Sequence, residues 1–294
     1  MSNTFKTLGL MLIVLWTTQV QAFSMFKKKS AEPQQVAVQE KSSEEIEEEL
    51  RLKFDSLKKS TDDALSIRLN KSIKITLKKE LRQKEETFDY PYSNLRYLGK
   101  CYSNDKKIRV YSWMFPKSDG TYHYECLIQT KKKKSVTLTE LQIKKNAFTP
   151  KQGSSIQNSN WYGALYYQVV APVGRKGTYT LLGWGKGTPG TEFKVAESMC
   201  VEKNGTVRLG KDSRFEAKGS KYKRLVLEYS DQAHISMNYV PEYKSIVFDH
   251  LIPGESIYKG IYSFYGPDFT YDEYTYQNNG RWTLQENVDM KNKE

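Results

Sequence analysis

The 294-residue chain has only three cysteines, three histidines and nine prolines, and it lacks any apolar run long enough to cross a bilayer. Each scarcity excludes something. Cys101, Cys126 and Cys200 form no CxxC pair and no Cys/His cluster, which argues against a zinc site, and their odd number leaves at least one unpaired within the chain. Cys101 and Cys126 fall on what reads as the first and third strands of a meander. Their Cα atoms would then be about 9 to 10 Å apart, beyond the roughly 7 Å that a disulfide spans, so buried free thiols are expected. His123, His234 and His250 are too few to suggest a histidine triad, and no GxSxG serine elbow is present. The glycine-rich stretch from Gly183 to Gly190 lacks GxxxxGK[ST] spacing and a following helix signal, so it reads as a strand connection and not a phosphate loop.

The strongest apolar run, Leu8 to Trp16, is preceded by Lys6 and followed by the small-residue boundary Val20-Gln21-Ala22. It is far short of the ~20 residues of a membrane span, and its layout is that of a secretory signal peptide cleaved after Ala22. No cysteine stands at the boundary to take a lipid, so release into the periplasm or the medium is expected. Residues 23–41 carry Lys27, Lys28, Lys29 and Pro33 without a sustained period, which predicts a flexible tether.

What the chain does have is positive charge and aromatic rings. The formal net charge is +12, with 21 Tyr, 12 Phe and five Trp. The basic residues are spread through Lys131 to Lys134, Lys144 and Lys145, and Lys221 to Arg224, with no nucleic-acid recognition motif. Such a protein, once exported, meets anionic envelope polymers or glycans and envelope proteins as its first partners.

Residues 42–86 predict an amphipathic helical arm. Ser42 and Glu45 make a capping box, with Ile46, Leu50, Phe54 and Leu57 following at helical spacing. Ser60 with Asp63 repeats the start signal, and Leu65, Leu69, Ile73, Leu77 and Leu81 form a second stripe that should dock on the rest of the protein or on a partner. From residue 87 to 294 the pattern changes to short β-branched and aromatic runs separated by turn residues. About a dozen such runs predict a mainly β, antiparallel sandwich or barrel-like domain, with a small propeller as the alternative. Lys144 to Asn160 reads as a long loop, and Asn204-Gly205 as a hairpin turn.

Two groups of residues could carry chemistry. Asp249-His250 is the sole carboxylate–histidine neighbour pair, but alternation along a strand points the two side chains to opposite faces unless the strand bends there. Asp268, Asp272 and Glu273 are the densest acids, yet an extended segment separates Asp268 from Asp272 by about 13 Å, too far for a glycosidase pair. The expected role of these acids is to stabilise turns. Trp161, Tyr162, Tyr166 and Tyr167 are the densest aromatics and offer a candidate binding surface for a sugar or polymer, against the commoner use of strand aromatics as core. No cofactor is implied.

The chain resembles a family of uncharacterised exported proteins from Bacteroidota-type Gram-negative bacteria over residues 88–292. The likeness rests on Asp105 with Arg109 to Trp113, Trp161 to Tyr167, Tyr179 to Trp184, Val247 to Leu251 and Tyr265 to Asp272. It implies an exported β-rich protein and brings no activity and no catalytic residues. The leading expectation is therefore a non-enzymatic envelope or extracellular protein with a binding surface. The alternative is a hydrolase of glycan or another envelope polymer using Asp268, Asp272, Glu273, Asp249 and His250.

Overall fold

The computed structural model describes residues 41 to 289, apart from 84, 134, 144 and 172 to 175. The expected signal peptide and nearly all of the expected tether lie outside the described residues. Helix α1 spans Ser43–Lys59 and α2 spans Asp63–Gln83. Ser42 Oγ accepts from Glu45 N at 3.2 Å, and the Glu45 carboxylate accepts from Ser42 N at 2.8 Å, completing the capping box. The second helix starts differently from expectation. Asp62, not Ser60, accepts from the free Leu65 N–H at 2.8 Å, because Ser60 already closes the C-terminus of α1 with its own N–H on the Ser56 and Leu57 carbonyls.

The two helices bury one face each on the sheet beneath them. Leu50, Phe54, Leu57, Ile73, Leu77 and Leu81 share one core with Tyr111, Trp113, Phe115 and Leu127. Leu69 is only partly buried and Leu65 is 40% exposed. A strict i+4 series drifts about 40° around the helix at each step, so five members cannot all face one surface.

Fifteen strands follow among the described residues. They are β1 (Gly99–Tyr102), β2 (Ile108–Pro116), β3 (Tyr122–Lys132), β4 (Ser135–Leu141), β5 (Leu165–Val170), β6 (Thr178–Lys186), β7 (Thr191–Val201) and β8 (Val207–Leu209). Next come β9 (Phe215–Ala217), β10 (Ser220–Tyr222), β11 (Arg224–Ser230), β12 (Met237–Val240), β13 (Ser245–Pro253), β14 (Tyr265–Tyr276) and β15 (Trp282–Val288). The first sheet is the meander β1-β2-β3-β4, the second runs β11-β7-β6-β5 with β8 also on β7, and the third runs β10-β9-β15-β14-β13-β12. Every pairing within these sheets is antiparallel except β15 with β9.

The sheets stack face to face as a sandwich, and none closes into a barrel or a radial propeller. Val110, Cys126 and Ile128 of the first sheet share a core with Leu181, Val195 and Met199 of the second. Leu182 and Ala196 of the second face Phe215, Ile246, Phe248 and Trp282 of the third. Adjacent residues Leu181 and Leu182 thus enter different cores, which is why β6 carries neighbouring apolar residues where a strand with one solvated face would alternate.

The short β9 and β10 were not visible in the sequence. Three residues are too few to show a period, and their turn, Lys218-Gly219 with φ of 50° and 77°, suits a tight hairpin. Cys101 and Cys126 lie on β1 and β3 with β2 between them, and both are buried free thiols.

Candidate binding cleft

A cleft of about 460 Å³ opens where the last turns of α1 meet the edge of the first sheet. Phe54 and Leu57 of α1 line it opposite Trp113 and Phe115, which face the helices, while Met114 and Leu165 line it from the other face of β2, where they pack against the core between the first and second sheets. Its third wall is built by Arg96, Tyr97 and Gly99, at the end of a segment that is held from both sides. Glu47 on α1 accepts from Asn94 N at 2.6 Å and from Tyr90 OH at 2.7 Å. From below, Lys100 Nζ donates to the carbonyls of Tyr92 and Leu95 at 2.5 and 3.0 Å. Arg109, buried among the rings of Tyr92, Tyr102 and Tyr111, donates to the carbonyls of Thr87, Phe88, Tyr90 and Pro91. Burial and the Arg109 charge lower the pKa of Lys100.

The sheet edge inside the cleft is open because β1 is short. Its pairing with β2 ends at Gly99↔Ser112, so residues 113–116 of β2 are paired only with β3. The charged side chains lining the cleft are Lys58 and Arg96, and neither forms an ion pair with any described residue. Lysines nearby behave otherwise. On α2, Lys74 is 3.0 Å from Glu125 and 3.2 Å from Glu140, and Lys78 is 2.5 Å from Glu140. A second groove along α2 is lined by Lys71, Lys74, Ile75, Lys78, Lys79 and Arg82, and of these Lys74 and Lys78 are already held by the sheet's Glu125 and Glu140.

The acids singled out in the sequence do not assemble into one open pair. Asp249 accepts from the backbone N–H and the hydroxyl of Ser236, which ties the start of β12 to β13. His250 pairs not with its neighbour but across the sheet: its Nδ1 lies 2.8 Å from Asp272 Oδ2, while Asp272 Oδ1 accepts from Asn287 N at 3.0 Å. The register explains this. Asp249 is opposite Tyr271 and Leu251 opposite Pro267, so His250 alone faces the bulged residues Asp268, Phe269 and Thr270. An ionised Asp272 can only accept, so with it the contact takes the tautomer in which Nδ1 is the donor and Nε2 is left as the other ring nitrogen. Asp268 accepts from Thr270 N and Oγ1 in a local turn, and those bonds hold its carboxyl below its ordinary pKa. Glu273 is 1% exposed and Asp272 6%, so neither offers an accessible acid.

The candidate aromatic surface is corrected by burial. Trp161, Tyr162 and Tyr166 are 0, 0 and 2% exposed and belong to the core between the first and second sheets. Their polar ends are satisfied internally: Trp161 Nε1 donates to Tyr166 OH at 3.1 Å, the two tyrosine hydroxyls are 2.9 Å apart, and Tyr162 OH donates to Glu197. Only Tyr167, on the other face of β5, is exposed, at 37%. The cleft residues themselves were not legible as a site, since Lys58, Arg96, Met114 and Leu165 come from four separate segments with no shared motif.

Among the described residues there is no group of three or more His, Cys, Asp or Glu side chains arranged to hold a metal ion, and no helix is long and apolar enough to cross a membrane. Comparison with models of protein families and with curated proteins finds no match to this chain.

Proposed function

We propose that this is an exported, non-enzymatic envelope or extracellular protein that works by binding, related to the uncharacterised exported proteins it resembles. The observation that carries the reading is the cleft beneath α1, where the margin of the helix–sheet core meets two cations that pair with no described acid. Export is supported by Lys6, the apolar run to Trp16 and the boundary at Ala22. The exposed Lys71, Lys79 and Arg82 on α2 supply a basic surface for an anionic or glycan polymer of the envelope.

The test is purification of the tagged protein from its native envelope, with sequencing of its mature N-terminus and identification of what co-purifies. A chain starting at Phe23 with a bound partner or ligand is the expected result. A cytoplasmic protein that retains Met1 and carries nothing would overturn it.

A second reading, a hydrolase of envelope glycan, is favoured by one observation. Asp272 orients His250 as a base, and Phe269 on the bulge, 88% exposed with φ of 68°, and Tyr271 just past it offer rings on which a sugar could stack. Loss of measured glycan turnover in His250→Ala, with melting unchanged, would establish this reading in place of the first.

A further inference from the structure

We infer that the cleft under α1 binds the hydrocarbon tail of a long-chain carboxylate, with the head group held between Lys58 and Arg96. This inference rests on the reading of the cleft as a binding site and names its ligand class. The apolar part of the lining is Phe54, Leu57, Trp113, Met114, Phe115 and Leu165, side chains that offer a tail dispersion contacts, and the Trp113 indole N–H is already taken by Asn70 Oδ1 at 2.8 Å. The volume of about 460 Å³ lies within the ~300 to 1,000 Å³ range of small-molecule sites.

Charge selects the head. Lys58 and Arg96 line the cleft without a carboxylate partner and no acid lines it, so a negative head is attracted and a positive one repelled. An extended peptide is the competing occupant, since an open strand edge invites strand addition. The edge is too short for that. At the cleft end of β2 four residues, 113–116, lack a β1 partner, and Pro116 has no N–H to give.

The experiment is titration calorimetry of the full mature chain with dodecanoate below its micelle concentration, beside dodecanol, dodecyltrimethylammonium, octanoate and an extended apolar peptide. Dodecanoate should bind about tenfold or more tighter than dodecanol, the ammonium compound should not bind, and octanoate should be weaker by tenfold or more through its four missing methylenes. Lys58→Glu with Arg96→Glu, both at exposed positions, should remove the preference for the anion while leaving the melting temperature unchanged. Leu165→Trp, which fills the side wall, should weaken all of the alkyl ligands together.

Equal affinity for dodecanol and dodecanoate, an anion preference that survives the charge reversal, or preference for the peptide would overturn the inference. If the native protein carries some other ligand and dodecanoate does not bind, the inference falls and the binding-protein reading stands. If nothing co-purifies and the protein turns over glycan, both fall.

Discussion

Arg224 Nε donates to Glu197 Oε2 at 2.6 Å between the first and second sheets, and neither side chain keeps any exposed surface. The pair sits directly across the β7–β11 ladder. It also organises its surroundings: Arg224 Nη1 donates to the carbonyls of Lys151 and Ser154 at 2.6 and 2.7 Å, pinning the long loop that precedes β5, while Glu197 anchors the Tyr162 hydroxyl. Removing Glu197 alone would leave a guanidinium charged in an apolar layer, because arginine does not deprotonate there.

Glu197→Leu is therefore expected to destabilise the protein by about 3 to 5 kcal/mol in urea unfolding, and Arg224→Met by a similar amount. The double variant should cost clearly less than the two single changes added together, since it removes both charges. Additive costs in the cycle would mean that the two side chains do not depend on each other.

Thiol chemistry provides a check on the packing of the first sheet. Burial pushes the Cys101 thiol up to about 12 and holds the Cys126 thiol well above its ordinary value, so both should resist alkylation in the native protein and react only on unfolding. Cys200 is partly exposed on β7 and should label first, although burial raises its pKa as well. Mass spectrometry after brief native labelling reads the result. Early modification of Cys126 would contradict its place between the sheets.

Leu77 lies at the centre of the contact between α2 and the first sheet, with no exposure. Leu77→Ala should cost about 2 to 5 kcal/mol, and Ile73→Asp should cost more, through the buried charge it introduces. Ile75, 59% exposed on the opposite side, is the control, and its replacement by Ala should stay within about 0.5 kcal/mol. Equal effects at positions 75 and 77 in denaturant melts would show that the helix is not docked as described.

The helical arm and the strand-rich remainder were legible because their signals are local: a capping box at Ser42, stripes at helical spacing, and runs such as Ile108 to Phe115 flanked by turns. What was not legible depends on layers. Trp161, Tyr162 and Tyr166 look like a surface cluster in one dimension, and only the stacking of the second sheet against the first puts all three inside. His250 found its carboxylate 22 residues away because two bulges set the register, and bulges leave no periodic trace. The cleft has no sequence signature, since it exists only where β1 stops short of Trp113.

Acid should loosen the hold of α2 on the sheet. Burial acts to raise the Glu125 pKa, but hydrogen bonds from His123 and Asn70 and the charge of Lys74 outweigh it and hold the carboxyl below its ordinary value. A depressed carboxyl pKa adds stability above the unfolded value of about 4.3, and that stability is lost as the pH falls through the lower folded value. Glu140, lowered by Lys78 and Lys74 against its own burial, acts in the same direction. Melting temperature should drop steeply between about pH 5 and 3, and Glu125→Gln should melt lower at pH 7 with a shallower acid limb. An unchanged acid limb in that variant would remove Glu125 from the account.

Asp272 and Asp268 are four residues apart on β14 and should answer the same substitution differently. Both oxygens of Asp272 accept, one from His250 and one from Asn287 N. An amide in its place has one acceptor and would turn its NH₂ toward one of those donors, so Asp272→Asn should cost about 1 to 3 kcal/mol. Asp268 bonds only within its own exposed turn, where asparagine serves nearly as well, so Asp268→Asn should leave melting within about 0.5 kcal/mol. The comparison also separates the two functional readings, because a structural Asp272 lowers melting in a protein with no glycan turnover to lose. If Asp272→Asn melts like the parent while a measured hydrolysis disappears, the His250–Asp272 pair is there for chemistry and the hydrolase reading takes precedence.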